Sequence, residues 1–280
     1  MQKTIDCIFP AIPRIRSTIA VSEPAPAPSF LDPYLSGKRY LPQLSIDCVI
    51  LGYSQRTLRV LIPKLDLTEE IHLLPSGFIL REEDIGAAAR RIIEHRTGID
   101  QFYLEQFRVY GSPNRIEQPF FHRLIGLMLE KQGRSPVEIE RMQWLDQRFV
   151  SIGYYAIVDL STVLPRRTAI DAAIEWVAVD ELPDLILDHN EMVAAAVDTV
   201  RLQFDDRHLA FYLLPEEFTM KEVRQVYETV FDRKFSRTAF QKKILDMGVL
   251  ERTTKKFTGA PNRAPYLYRF PARHLGDTPT

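Results

Sequence analysis

The residues whose types and spacing could do chemistry in this chain lie between Gly77 and Ile99. If residues 84–97 form a helix, Ile92, His95 and Arg96 are three and four positions apart and share one face. Proteins hold Mg²⁺ at phosphate-transfer sites with carboxylate oxygens, and a guanidinium cannot ligate a cation. We therefore expect this face to repel Mg²⁺ and to favour an anion or a neutral polyol.

The same segment resembles the Nudix box of pyrophosphohydrolases, G-x5-E-x7-R-E-U-x-E-E-x-G-U, in which U is a bulky aliphatic residue. The matching residues are Gly77, Glu83, Arg91, Ile93, Gly98 and Ile99. The stretch from Leu74 to Phe78 is also similar to the family's LPGGF entry, with Ser76 in place of one glycine. Three acidic positions of the pattern are occupied by Ile92, His95 and Arg96. The resemblance implies a Nudix fold without hydrolase activity, bound metal or other cofactor.

Apolar periodicity predicts the elements that position this segment. Strands are expected at Ile46–Gly52, Leu58–Ile62, Phe102–Tyr110, Phe149–Val158 and Glu175–Val179, with a hairpin turn at residues 54–56 between the first two. Helices are expected at about 84–97, 120–132 and 188–204. This order favours a mixed sheet between helices, that is, an α/β/α Nudix-like sandwich.

Composition and charge divide the 280 residues into three regions. Residues 1–42 are Pro-rich and predict a poorly ordered arm, although Phe30 to Leu35 could instead dock on a partner subunit. Residues 43–205 would form the Nudix-like domain and residues 206–280 a second domain. The net charge is −1, but residues 236–273 hold nine Lys or Arg against two acidic residues, so this end suits a polyanion. The two cysteines form no CxxC motif and no long apolar run occurs, which indicates a reducing cytoplasm and no membrane insertion.

The second domain has the pattern of a winged helix-turn-helix. Thr219 and Glu222 form a capping box before an amphipathic helix, and Ser236 is a suitable N-cap for a second helix that Gly248 ends. Residues 250–256 and 266–270 then predict two strands joined by a basic loop. The second helix is the expected reader of the DNA major groove, and the wing is expected to contact phosphates. The candidate DNA-binding residues are Ser236, Arg237, Thr238, Gln241, Lys242, Lys243, Arg252, Lys255, Lys256 and Arg263.

A degenerate Nudix domain followed by a winged helix resembles the Nudix-related bacterial transcriptional regulators, over roughly residues 43–271. In that family the Nudix part senses ADP-ribose or a related nucleotide, or a sugar such as L-arabinose. The resemblance implies a ligand-responsive, cytoplasmic DNA-binding regulator of catabolic genes that forms a homodimer and is not an enzyme. Its partners would be an operator in double-stranded DNA and a sugar or nucleotide-sugar effector. The chain departs from the family in its N-terminal arm and in an insertion between Asn114 and Trp144.

Because the Nudix pocket is lined by the box loop and neighbouring strands, the resemblance also nominates effector-binding residues. They are Arg81, Glu83, Arg91, His95, Asn114, Arg115, Arg148, Ser151 and Tyr154. Guanidinium groups suit a diphosphate, whereas carboxylate, amide and hydroxyl groups beside an aromatic wall suit a sugar, so both effectors stay open. For Glu83 and Arg91 the favoured alternative is a salt bridge that holds the box loop. The pair Asp188-His189 is expected to serve as an N-cap and interdomain contact.

Two other functions remain open. The chain could be a Nudix hydrolase with a relocated base among Glu82, Glu83 and Glu94. It could also be a noncatalytic interaction protein whose basic end binds a protein or RNA.

Overall fold

The computed structural model describes residues 39–67, 69–115, 118–131, 133, 144, 147–168, 170–256 and 264–271. The predicted arm lies outside these residues up to residue 38, and Arg263 of the predicted wing lies outside them too. The first strand begins at Tyr40, so the end of the segment predicted as an arm (1–42) belongs to the sheet. Among the described residues, no helix is long and apolar enough to cross a membrane.

The first domain is built on a six-stranded sheet. Its elements are β1 (Tyr40–Ser54), β2 (Thr57–Leu65), β3 (Ser76–Leu80), α1 (Ile85–Thr97), β4 (Tyr103–Tyr110), α2 (Gln118–Lys131), β5 (Val150–Val158) and β6 (Asp171–Ala178). The strand order is β4-β5-β1-β2-β6, with β3 also paired to β1. The pair β1–β5 is parallel and the other pairs are antiparallel, which confirms the predicted mixed sheet.

Helices cover both faces of this sheet. Successive side chains of a strand point to opposite faces, so Tyr154 and Ala156 pack in the core beside α1. Tyr155 and Ile157 pack on the other face, in a core that includes Met192 and other residues of helix α3 (His189–Gln203). The architecture is therefore the α/β/α Nudix-like sandwich expected from the sequence.

Local signals fix the ends of α1, the helix of the box. The Asp84 carboxylate caps the helix by accepting a 2.8 Å hydrogen bond from the Gly86 backbone N–H. Gly98 ends it in the left-handed region, with φ 75°, and donates its backbone N–H to the Glu94 carbonyl. The helix predicted at 84–97 is confirmed at Ile85–Thr97.

The second domain is a winged helix. Its elements are β7 (Phe218–Thr219), α4 (Met220–Val230), α5 (Arg237–Asp246), β8 (Glu251–Lys255) and β9 (Tyr266–Arg269). The predicted capping box at Thr219 and Glu222 is present, and α5 ends just before Gly248. The short strand β7, which pairs with β9, was not expected because two residues carry no periodicity.

The two domains share one apolar core. After α3, Phe204 makes edge contacts with Tyr227 and Phe231 of the winged helix, at ring-centroid distances of 4.9 and 5.4 Å. Phe211 stacks on Phe218 at 5.6 Å. Helix α3 therefore packs on the first sheet along its length and leads directly into the core of the winged helix.

Candidate effector site and DNA-binding helix

Glu83 and Arg91 form a bidentate ion pair that braces the box loop. Arg91 Nε and Nη2 donate to the two Glu83 carboxylate oxygens at 2.7 and 2.8 Å, and Nη2 also donates to the Phe78 carbonyl at 2.9 Å. Glu83 in turn accepts from the Leu80 backbone N–H, and the Arg91 hydrogen bond lowers the pKa of its carboxyl. The geometry supports the salt-bridge role expected for this pair.

The three side chains that replace acidic residues of the box do not form one exposed face, so the expectation that this face favours an anion is wrong. Ile92 is buried and packs over Gly77, where an added Cβ would lie 2.8 Å from Ile92 Cδ1. Arg96 is also buried, and its guanidinium pairs with the Asp171 carboxylate. His95 alone is exposed; partial burial lowers the pKa of its imidazole, and the charge on Arg96 lowers it further. The charge of Arg96 is therefore part of a buried ion pair and is not exposed on the helix surface.

A buried polar cluster lies on the opposite face of the sheet, around Asp47 of β1. Its carboxylate accepts hydrogen bonds from Arg115 Nη2 at 2.7 Å and Ser151 Oγ at 2.5 Å. His189 Nδ1 accepts from the Leu74 backbone N–H at 3.0 Å, so its Nε2 carries the proton and lies 3.6 Å from Asp47 Oδ1. Burial opposes ionisation, but His189, Arg115 and Ser151 hold the pKa of Asp47 well below its usual range.

Asp188 joins this cluster through Arg115, whose Nε donates to both Asp188 carboxylate oxygens at 2.8 Å. Asp188 occupies the N-cap position of α3 as expected, but its side chain makes no capping hydrogen bond. Its contact lies within the Nudix-like domain, so the expected interdomain role is not observed. Asp188 instead fixes the start of α3 to the loop after β4.

The nine nominated effector residues do not meet in one pocket, because the sheet separates them. Tyr154 packs on the α1 face, while Ser151, three residues earlier on the same strand, points to the α3 face with Arg115. Arg115 is tied to Asp47 and Asp188, and Arg148 donates to the Gly111 carbonyl at 2.5 Å. The prediction of a single site from all nine is therefore corrected to two separate groups.

An aromatic cluster that was not predicted from the sequence lies beside the box loop. Trp144 lies nearly parallel to Tyr40, with ring centroids 6.0 Å apart and an interplanar angle of 14°. Phe78 contacts both rings and also Phe149. Tyr40, Phe78 and Phe149 lie at or near strand ends, and Trp144 lies in an insertion without apolar periodicity. Only Phe78 could be linked to the site from the sequence, because it belongs to the segment similar to LPGGF.

Guanidinium groups adjoin this cluster. Burial raises the pKa of the Tyr40 hydroxyl, and the nearby positive charges of Arg39 and Arg91 partly offset this rise. Arg81 follows β3, is exposed, and donates its backbone N–H to the Arg39 carbonyl at 2.9 Å. The box loop thus combines an aromatic wall with positive charge.

A cleft of about 600 Å³ lies on the other side, near the start of α3. It includes the nominated Asn114 and Arg115, but five acidic residues also line it: Glu69, Glu70, Asp184, Asp188 and Glu191. A diphosphate would be repelled by this lining. Within the described part of the chain, no group of three or more His, Cys, Asp or Glu side chains is arranged to hold a metal ion.

Helix α5 presents a polar face to solvent. Phe240 and Ile244 are its buried residues, and Arg237, Thr238 and Lys242 are exposed, as is the neighbouring Gln241. Ser236 takes the N-cap position, but its side chain makes no capping hydrogen bond, so its hydroxyl stays available at the helix start. The arrangement matches the predicted recognition helix.

The other basic candidates that the structure describes in α5 and the wing are exposed, and each also contacts a neighbouring side chain of the domain. Lys243 Nζ donates to Asp205 Oδ2 at 2.5 Å and lies over the Tyr227 ring. Lys256 Nζ donates to Glu222 on α4 at 3.1 Å. Lys243 and Lys256 therefore hold α5 and the wing to the domain; both side chains are still about half exposed, and their contact with DNA stays a prediction. Arg252 and Lys255 both lie over the Tyr266 ring, at 4.5 and 5.4 Å from its centroid.

Residues 210–270 match the NrtR DNA-binding winged helix domain. The chain has the architecture of the Nudix-related transcriptional regulators. This confirms the resemblance stated from the sequence. Shewanella oneidensis NrtR in complex with a 27mer DNA has the same fold, with a TM-score of 0.62 at 19% identity over 82% of this chain and 95% of that one. A MutT/nudix family protein from Enterococcus faecalis gives a TM-score of 0.56 at 17% identity, over 82% of this chain and 86% of its own.

A sequence relative of this chain is the ADPR responsive transcriptional repressor NtrR of Acinetobacter baylyi. The two are 25% identical over 249 residues, which cover 86% of this chain and 87% of the relative. The alignment spans both domains, so the likeness includes their order along the chain.

Proposed function

We propose that this chain is a transcriptional regulator whose winged helix binds an operator in double-stranded DNA and whose Nudix-like domain binds an ADP-ribose-type nucleotide. The observation that carries the proposal is the exposed polar face of α5 within an NrtR-type winged helix. The name of the Acinetobacter baylyi relative, an ADPR responsive transcriptional repressor, supports this nucleotide over a neutral sugar.

The exposed face of α5 suits base recognition. Thr238, Gln241 and Lys242 project from the first turns of the helix, where polar side chains reach base edges in the major groove. Arg237, near the helix start, is suited to a phosphate. Arg252 and Lys255 would add affinity through counterion release that carries little sequence information.

The box loop is the effector site that the charges favour. A nucleotide diphosphate needs positive groups for its phosphates and a flat apolar surface for its base. Arg39 and Arg81 supply the positive groups beside Tyr40 and Trp144, and Arg91 lies close by although it is paired with Glu83. The cleft near α3, by contrast, is acidic. The exchange of the box carboxylates for Ile92, His95 and Arg96 suits a sensor, because a sensor must not consume its signal.

We further propose that two copies bind the operator together, since paired winged helices read two half-sites at a fixed spacing. An effector that changes the relative placement of the two winged helices would then change operator affinity. Light scattering of the free and DNA-bound protein would give the number of copies in each state.

The test begins with selection of duplexes from a random library by the full chain, followed by anisotropy titration at physiological salt. We expect one selected duplex to bind far more tightly than a scrambled duplex of the same composition. ADP-ribose should change that affinity, whereas L-arabinose should not. Equal affinity for selected and scrambled duplexes would reject operator binding, and a response to arabinose alone would reject the nucleotide effector.

A further inference from the structure

Asp205 is the residue at which the end of α3 contacts the recognition helix. One of its carboxylate oxygens accepts from Lys243 Nζ of α5 at 2.5 Å, and the other accepts from the Tyr227 hydroxyl of α4 at 2.7 Å. Lys243 also lies over the Tyr227 ring, with its ammonium 5.1 Å from the centroid. One carboxylate thus holds both helices of the helix-turn-helix, and its contact with α5 is half-exposed.

Side chains on either side of Asp205 connect the same segment to the Nudix-like sheet. The Tyr155 hydroxyl of β5 donates to Gln203 Oε1 at 2.6 Å, and Gln203 Nε2 donates to Glu105 of β4 at 3.2 Å. Arg207 Nη2 lies 3.6 Å from Glu105 Oε1. Residues 203–207 therefore contact the effector domain through Gln203 and Arg207 and the DNA-binding helices through Asp205.

The two ends of α3 lie in different environments. Its start is fixed to the buried cluster around Asp47 by Asp188 and His189, and His189 Nδ1 also accepts from the Leu74 backbone N–H, four residues before Phe78 at the proposed effector site. Its end leads into Asp205. A 15-residue α-helix is stiff and about 22 Å long, so a displacement at its start reaches its end. Lys243 lies one residue after Lys242 and is fixed to Asp205, so the placement of Asp205 sets how α5 presents Lys242 and Thr238.

We propose that Asp205 is a positioning residue for sequence-specific DNA binding, and that it transmits the effector-bound state of the Nudix-like domain to α5 through Lys243. This inference rests on the proposed function, because it needs both an operator and an effector. Asp205 need not contact DNA, and its carboxylate would repel phosphate if it did.

That repulsion lets a variant of Asp205 distinguish a positioning role from a direct electrostatic effect on DNA binding. Asp205→Asn removes a negative charge near the DNA-binding face, which by electrostatics alone should strengthen binding to any duplex. The inference predicts the opposite for the selected duplex, a loss of about threefold to fivefold, in line with a partly exposed ion pair. Asp206→Asn is the matched control, since it removes the same charge from the exposed neighbouring residue. The control should bind as the native chain does or slightly more tightly.

A double-mutant cycle assigns the effect to the contact with Lys243. We expect Asp205→Asn with Lys243→Met to bind the selected duplex no more weakly than either single variant, because both remove one interaction. Asp205→Glu keeps the carboxylate and should recover most of the affinity. Thermal unfolding of each variant shows whether its fold is intact, and the ratio of affinities with and without ADP-ribose reports transmission.

The result expected is a smaller ADP-ribose response in Asp205→Asn and Lys243→Met than in the native chain and Asp206→Asn. Native affinity and native response in Asp205→Asn would overturn the inference and leave the proposed function intact. Equal weakening on selected and scrambled duplexes, or additive losses in the double variant, would also overturn it. Failure of the native chain to prefer any duplex would instead overturn the proposed function, and the inference with it.

Discussion

The guanidinium of Arg96 on α1 and the carboxylate of Asp171 at the start of β6 form an ion pair in which both side chains are buried. The Nudix box has an acidic residue at the position of Arg96. Its replacement by arginine therefore does more than remove a metal ligand. It creates a link between the box helix and the edge strand, and Asp171 also accepts from the backbone and hydroxyl of Thr168.

This pair predicts a large effect on stability. Arg96→Met would leave the Asp171 carboxylate buried without its cation, and we expect the free energy of unfolding to fall by about 3–5 kcal/mol. Urea denaturation followed by circular dichroism measures the change. The double variant Arg96→Met with Asp171→Asn should recover part of it, because no buried charge remains. A loss below about 1 kcal/mol in the single variant would mean that the pair behaves as a surface ion pair.

Asp47 predicts a pH dependence of stability. The pKa of Asp47 in the folded chain lies far below its ordinary value of 3.8, so its contribution to stability is present above pH 3.8 and is lost as the pH falls toward the folded pKa. Asp47→Asn should therefore be less stable than the native chain at about pH 6, and the difference should shrink by about pH 3.5. Thermal unfolding of both proteins across this range checks the sign. A gap that widens on acidification would show that Asp47 is protonated in the fold.

The box helix should not bind a divalent cation. Ile92 is packed over Gly77, Arg96 is paired with Asp171, and Glu83 is engaged by Arg91, so the carboxylates that Mg²⁺ requires are replaced or occupied. Calorimetric titration with Mg²⁺ and Mn²⁺ should give no heat of binding, and ADP-ribose should remain intact in their presence. Micromolar binding, or release of a nucleoside monophosphate, would favour the hydrolase alternative with a base among Glu82, Glu83 and Glu94.

Lys242 should carry sequence preference in DNA binding. We expect Lys242→Ala to weaken the selected duplex roughly fivefold to tenfold, while a scrambled duplex loses less. Lys221→Ala is the matched control: the residue is exposed on α4, has the same charge, and lies off the recognition helix. Anisotropy titrations on both duplexes compare the variants. An unchanged preference in Lys242→Ala would count against α5 as the recognition helix.

Short-range signals made most of the elements predictable from the sequence. Gly98 caps the end of the box helix because a left-handed cap suits glycine, and Thr219 caps the start of α4 because a capping box satisfies the helix's first N–H groups. The strand β7 was not predicted because two residues are too few to show a pattern. The aromatic cluster was not predicted because Trp144 lies in an insertion without apolar periodicity.

The sequence by itself determined the domain order, the degenerate box and the exposed polar helix after Ser236, since these depend on residue type and local spacing. The pair Glu83–Arg91 was expected from the sequence, but only the tertiary structure decided which partners the charged side chains take when they are far apart in the chain. Arg96 meets Asp171 across 75 residues of chain, and Lys243 meets Asp205 across 38. Such pairings depend on how distant strands and helices pack, and local periodicity contains no information about them.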